Sequence, residues 1–115
     1  MAARKPARRP PAFDLITVVA QRRDERKVLE AAEKAGARGA TYFYGRGTGV
    51  RQRFGFRGSL IEAEKVVVLI ATPPRSTRTI VKAVSKAAEL DKPARGFLYV
   101  QKIRGVVGYV GGLGG

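Results

Sequence analysis

Neither cysteine nor histidine occurs in the 115 residues, and acids are scarce, nine Asp and Glu against 23 Lys and Arg. Without cysteine there are no disulfides and no thiolate chemistry, which fits a reducing compartment and leads to a cytoplasmic expectation. Without histidine, the commonest general base and transition-metal ligand is missing. The scattered carboxylates do not replace it. Glu62 and Glu64 are the one close pair beside a loop, and an ion pair with Lys65 or a loop arginine accounts for them. No G-x-S-x-G and no Walker lysine appear either. The residues therefore describe a chain that is not an enzyme and holds no metal. Long hydrophobic runs are also lacking. Val66 to Ala71, the longest, is far too short to span a bilayer, and the basic N-terminal stretch has no apolar core of a secretory signal.

What is abundant is positive charge. The net charge is +14, and Arg4, Lys5, Arg8 and Arg9 contribute four of those charges with no acid before Asp14. Removing them leaves about +10 on residues 13–115, so the excess is not a property of one tail. A field of this sign draws in nucleotides, nucleic acids or acidic protein surfaces. Residues 1–12, with three prolines and no apolar period, read as a flexible basic arm that binds polyanions weakly and without sequence preference.

The hydrophobic pattern supports one domain over residues 13–110, followed by a glycine-rich tail, 111–115. FDLITVVA (13–20) reads as a central strand. Asp24 is placed to cap a helix from Glu25 to about Ala35, with Val28, Leu29, Ala31, Ala32 and Ala35 on its apolar side and Gly36 just past its end. A second strand runs from Ala40 to about Arg46, and KVVVLIAT (65–72) is a third. Pro73 and Pro74 then stop the chain before a helix capped by Ser76 or Thr77 and reaching about Leu90. A fourth strand covers Phe97 to about Lys102, and residues 103–110 suggest a short edge strand. The order is β-α-β-β-α-β, a ferredoxin-like α+β sandwich with an antiparallel sheet. Leu15, Thr17, Val67, Leu69, Leu98 and Val100 put apolar residues on both sheet faces, which predicts that the uncovered face packs against other subunits.

Two stretches carry candidate binding chemistry. In Gly45-Arg46-Gly47-Thr48-Gly49, alternate glycines permit a bend whose N–H groups form an anion nest, and Arg46 adds charge for a phosphate. A long loop, 47–62, follows, with Arg51, Arg53 and Arg57 unopposed by any acid before Glu62 and with Phe54 and Phe56 available to a partner. Arg95, between a helix end and a strand and followed by Gly96, is the other candidate phosphate contact. A lone arginine at such a place is ordinarily a solvated charge.

With the element order in hand, the sequence resembles the P-II nitrogen-regulator signal-transduction family, particularly its short P-II-like branch, over roughly residues 13–109. The resemblance rests on Gly36-Ala37-Arg38-Gly39-Ala40-Thr41, Gly45-Arg46-Gly47-Thr48-Gly49 and Ala94-Arg95-Gly96-Phe97-Leu98-Tyr99-Val100. It implies a homotrimeric allosteric regulator with adenine nucleotides (AMP, ADP or ATP) bound in clefts between subunits. It also implies an output loop that docks on a target transporter or enzyme. Carried over by position, Gly39 and Thr41 lie near the adenine, and Leu69 contacts the base. Gly47, Thr48 and Gly49 meet the phosphates at the loop base, and Ala94, Arg95, Gly96 and Phe97 cradle them from the other side.

The chain departs from the family pattern in several places. Its loop is short and has no tyrosine for nucleotidylation. Arg51 stands where a glutamine meets metal-bound 2-oxoglutarate, with Gln52 off by one, and Gly108 and Val110 stand where paired arginines reach a neighbour's phosphates. A mono- or diphosphate, or bicarbonate as in carboxysome-associated members, fits these departures more easily. The alternative is an RNA-recognition domain, suggested by the same topology and by Arg95-Gly96-Phe97-Leu98-Tyr99-Val100. That motif belongs on the third strand rather than the fourth, and Ile16 and Thr17 stand where the first strand should offer an aromatic.

Overall fold

A computed structural model describes residues 12–51 and 59–108. The basic arm up to residue 11, the loop residues Arg53, Phe54, Phe56 and Arg57, and the glycine-rich tail lie outside the described residues. Four strands and two helices follow the anticipated order: β1 (Phe13–Gln21), α1 (Glu25–Lys34), β2 (Thr41–Arg51), β3 (Ser59–Thr72), α2 (Pro74–Ala87) and β4 (Gly96–Ile103). A 3₁₀ turn, Arg22–Asp24, links β1 to α1. The sheet order is β2-β3-β1-β4, and every neighbouring pair is antiparallel.

Strand alternation divides the sheet into two chemically distinct faces. Ile16, Val18 and Ala20 of β1 and Val66, Val68 and Ile70 of β3 are fully buried under Val28 and Ala32 of α1 and Ile80 and Val84 of α2. Completely burying one such side chain is worth about 1.5–3 kcal/mol, so this layer is the source of the fold's stability. Leu98 packs against the same core, and Val100, facing Ile16 across the β1–β4 ladder, shares that side. Both therefore belong to the helix side, whereas Leu15, Thr17, Val67 and Leu69 belong to the open face. The open face is also apolar. Phe43, Val67, Val19 and Phe97 form one row across all four strands, and Thr41, Leu69, Thr17 and Tyr99 form the next.

Both helices end by the same hydrogen-bond pattern. After α1, Gly36 N–H donates to Glu33 and Ala37 N–H to Ala32, with Gly36 at φ 112°. After α2, Glu89 N–H donates to Lys86 and Leu90 N–H to Ser85, with Glu89 at φ 53°. These are Schellman closures, for which Gly36 is the natural residue and Glu89 a strained one.

Several boundaries differ from the sequence reading. Asp24 occupies the N-cap position of α1 but makes no capping hydrogen bond. Pro73, not Ser76 or Thr77, precedes α2, and Thr77 instead donates to Asp14 at 2.7 Å. Residues 104–108 form no strand. The largest difference concerns the expected loop of residues 47–62. Here β2 and β3 run on as an antiparallel ribbon beyond the end of β1, pairing Gly47 with Ala63, Thr48 with Glu62 and Arg51 with Ser59.

Candidate effector site

A shallow cavity of about 370 Å³ opens beside the start of β2, lined by Leu15, Arg38, Gly39, Ala40, Thr41, Leu69 and Ala71. Gly39, Thr41 and Leu69 are the three residues that the family resemblance implies around a base, and the fold brings them together. Thr41 and Leu69 face one another in the β2–β3 ladder, and Gly39 belongs to the link arriving from α1. Leu15 and Ala71 follow from the β1–β3 register, where they are partners. Reading β1 and β3 separately could not have paired them. Arg38 was the legible omission, since it stands inside the motif that carried the resemblance.

The glycine segment is not a bend. Gly45, Gly47 and Gly49 lie in β2, and Gly45 and Gly47 are not among the positive-φ residues that a nest requires. Their spacing of two puts all three on the side of β2 that carries Thr41 and Phe43, and over this stretch β2 itself contributes no side chains there. The period-two spacing was the overlooked signal. A Cβ built at Gly45 would meet nothing within 4 Å, and one at Gly47 would meet only the Lys65 side chain at 3.3 Å. Arg46 and Thr48 project from the opposite side of the strand and are exposed. Arg51 closes the described part of β2.

The third segment, Ala94 to Phe97, lies across the sheet. Arg95 Nη2 donates to the buried Asp24 Oδ2 at 3.0 Å and stands 3.8 Å from Glu89 Oε1. Its Nε is buried with no hydrogen-bond partner. Gly96 has a steric reason to be glycine: at φ 138°, an added Cβ would come within 2.1 Å of the Val19 carbonyl oxygen. Ala94, at φ 63°, offers its carbonyl to Gln21 Nε2 at 2.7 Å. Phe97 is exposed on the open face and stacks with Tyr99, ring centroids 6.3 Å apart.

One chain does not close these parts around a single phosphate. Gly47 lies six residues along β2 from Thr41, roughly 20 Å at strand rise, and three strand spacings, roughly 14 Å, separate β2 from β4. The root of the ribbon is held by its own cluster on the helix side. Tyr44 donates to Glu25 at 2.7 Å, and Arg22 pairs with Glu64 at 2.6 Å while its guanidinium lies 3.9 Å over the Tyr44 ring. The hydrogen bond that Arg22 donates to Glu64 raises the Arg22 pKa further, and the bond to Glu25 pushes the Tyr44 hydroxyl above its usual value. Among the described residues, no group of His, Cys, Asp and Glu could hold a metal ion, and no helix is long and apolar enough to cross a membrane.

The family model described as nitrogen regulatory protein P-II matches residues 13–109. Among solved structures, the fold is similar to the Bacillus subtilis GlnK–ATP complex, at 15% identity over 83% of this chain and 84% of that one, with a TM-score of 0.66. Another structure of B. subtilis GlnK aligns over 80% and 85% of the two chains at 15% identity and TM-score 0.60. A Bacillus cereus protein related to NIF3 aligns at 21% identity and TM-score 0.64, over 86% of this chain but only 27% of that larger one. At these identities the structural likeness speaks for the fold alone. No curated protein matches the sequence.

Proposed function

Because this chain belongs to the nitrogen regulatory protein P-II family, we propose that it is a homotrimeric regulator whose effector is an adenine nucleotide bound between subunits. The separation of the candidate residues carries this reading. The Gly39–Thr41–Leu69 cavity, the glycine strip and Arg95–Gly96 sit at three places on one sheet, and only a neighbouring copy can complete a site from them. The open face supplies the motive for assembly, because Phe43, Phe97 and Tyr99 are 50%, 56% and 46% exposed on it. Covering such rows against other copies stabilises the assembly at about 25 cal/mol per Å². The cavity receives the base. The strip lets phosphates approach the β2 backbone, and Arg95 reaches them with donor capacity that Asp24 leaves unused.

In this reading the effector state passes along the ribbon to Arg51, Arg53, Phe54, Phe56 and Arg57, which dock on a target transporter or enzyme. The ribbon root joins the glycine strip on one side to the Tyr44–Glu25–Arg22–Glu64 cluster on the other, so an anion at the strip changes how the ribbon is held.

Calorimetric titration with AMP, ADP, ATP and bicarbonate, with mass by light scattering, tests the proposal. Expected are a trimer and saturable heat with at least one adenine nucleotide. Gly47→Ala should weaken binding at least tenfold yet leave the melting temperature nearly unchanged, because only the flexible Lys65 side chain has to shift. A monomer of 12.4 kDa, or no heat from any adenine nucleotide, would overturn it.

A further inference from the structure

The two helices cover the same face of the sheet but differ in their outward charge. The outward residues of α1 mix signs, with Arg26, Lys27 and Lys34 among Glu30 and Glu33. Helix α2 has no carboxylate at all. Ile80 and Val84 face the core, and the opposite side presents Arg78, Lys82 and Lys86, all exposed and four residues apart, with Arg75 on the same side. Among the described residues, Arg78, Lys82 and Lys86 take part in no ion pair. Like charges at this spacing oppose helix formation by a few tenths of a kcal/mol per pair, and the helix has no carboxylate to pair with them.

We infer that the outer face of α2 is a sequence-independent binding surface for the phosphate backbone of a nucleic-acid duplex. Successive charges rise about 6 Å along the helix, close to the roughly 6.8 Å rise of two nucleotides along one strand. The stripe carries no aromatic for base stacking and no apolar anchor of the kind that seats a helix in a membrane or centres a protein interface. Charge is all it offers, and backbone phosphates need no more. The face points away from the open side of the sheet, so self-association through that side leaves it accessible. The four cations of residues 1–12 add to the same field. This inference is independent of the effector site.

Fluorescence anisotropy of a labelled 20-base-pair duplex, titrated with the full chain at several salt concentrations, provides the test. The wild type should bind two unrelated duplex sequences equally, with an affinity that falls steeply as salt rises. Neutralising the stripe as Arg78→Gln, Lys82→Gln and Lys86→Gln should lower the slope of log K against log salt by about 2.7, the loss of three phosphate contacts. Neutralising Arg23, Arg26 and Lys34 to Gln removes the same charge from α1 and the turn before it and should change the slope by less than half as much. Equal slopes for the two triple variants would overturn the inference, because net charge alone would then account for binding. So would unchanged binding in the stripe variant, loss of all binding on deletion of residues 1–12, or binding to phosphatidylserine vesicles with none to the duplex.

Discussion

Arg95 and Asp24, 71 residues apart in sequence, meet at 3.0 Å where the turn after α2 packs against the start of α1. The Asp24 side chain is only 3% exposed. Asp24 therefore does not serve the helix it precedes. Its carboxylate is taken by Arg95, with Lys27 at 3.9 Å as a weaker neighbour. Arg95→Ala should destabilise the fold by about 3 kcal/mol, because removing one partner strands a buried charge. Urea denaturation reads the loss. A change below 0.5 kcal/mol would mean that the pair contributes little to the fold.

Gly96→Ala should be more damaging than any other glycine substitution in the described sheet. The new methyl would collide with the Val19 carbonyl at a backbone conformation unfavourable to L-residues. A loss of more than about 2 kcal/mol is expected, against little effect from Gly45→Ala. Parallel thermal melts would compare the two.

The two faces of the sheet should respond differently to a buried charge. Val67→Asp, on the open face, should split the proposed trimer while the monomer stays folded. Leu98→Asp, against the core, should unfold the chain, since an unpaired charge there costs several kcal/mol. Light scattering with circular dichroism separates these outcomes, and unfolding in both would remove the distinction.

Ala94→Gly should raise stability by about 0.5–1 kcal/mol. Ala94 sits at φ 63°, where glycine carries no steric penalty, and its bond to Gln21 is made by the backbone carbonyl. A lower melting temperature would show that the side chain contributes more than the strain costs.

The pH response has two limbs of opposite sign. A hydrogen bond and the charge of Lys92, then the charge of Arg95, hold the Glu89 carboxyl below its usual 4.5. Its contribution to stability is therefore present above that value and lost as pH falls through the depressed folded pKa. Glu89→Gln should flatten this acid limb in urea melts taken from pH 5 to 3. Tyr44 behaves conversely. Its raised pKa, caused first by the bond to Glu25, makes its contribution complete below pH 10 and lost as pH rises through the folded value. Ultraviolet titration should show the phenolate absorbance of Tyr44 appearing at lower pH in Glu25→Gln.

The element order, the core stripes of both helices and the Gly36 closure were legible because they are written in local period and local chemistry. Val28 and Ala32 repeat at helical spacing, and only glycine sits easily at the φ of Gly36. Gly39 and Thr41 were legible inside a motif and Leu69 only by its position in the family pattern, but their common cavity was not legible. It depends on the β2–β3 register, which a single strand's sequence does not state. The glycine segment differs from its expected bend for the opposite reason: glycine permits a bend, but a spacing of two is that of a strand.

By itself, the amino-acid sequence determined the alternation of strands and helices, the excess of positive charge and the absence of histidine and cysteine chemistry, since each is a property of residues near one another or of their number. Only the tertiary structure decided which face Leu98 and Val100 share, that the ribbon of β2 and β3 runs past the sheet, and that Asp24 belongs to Arg95. Those facts arise from pairing between distant segments, where a shift of one residue exchanges the two sides of a strand. Burial then fixes which carboxylate a guanidinium must find.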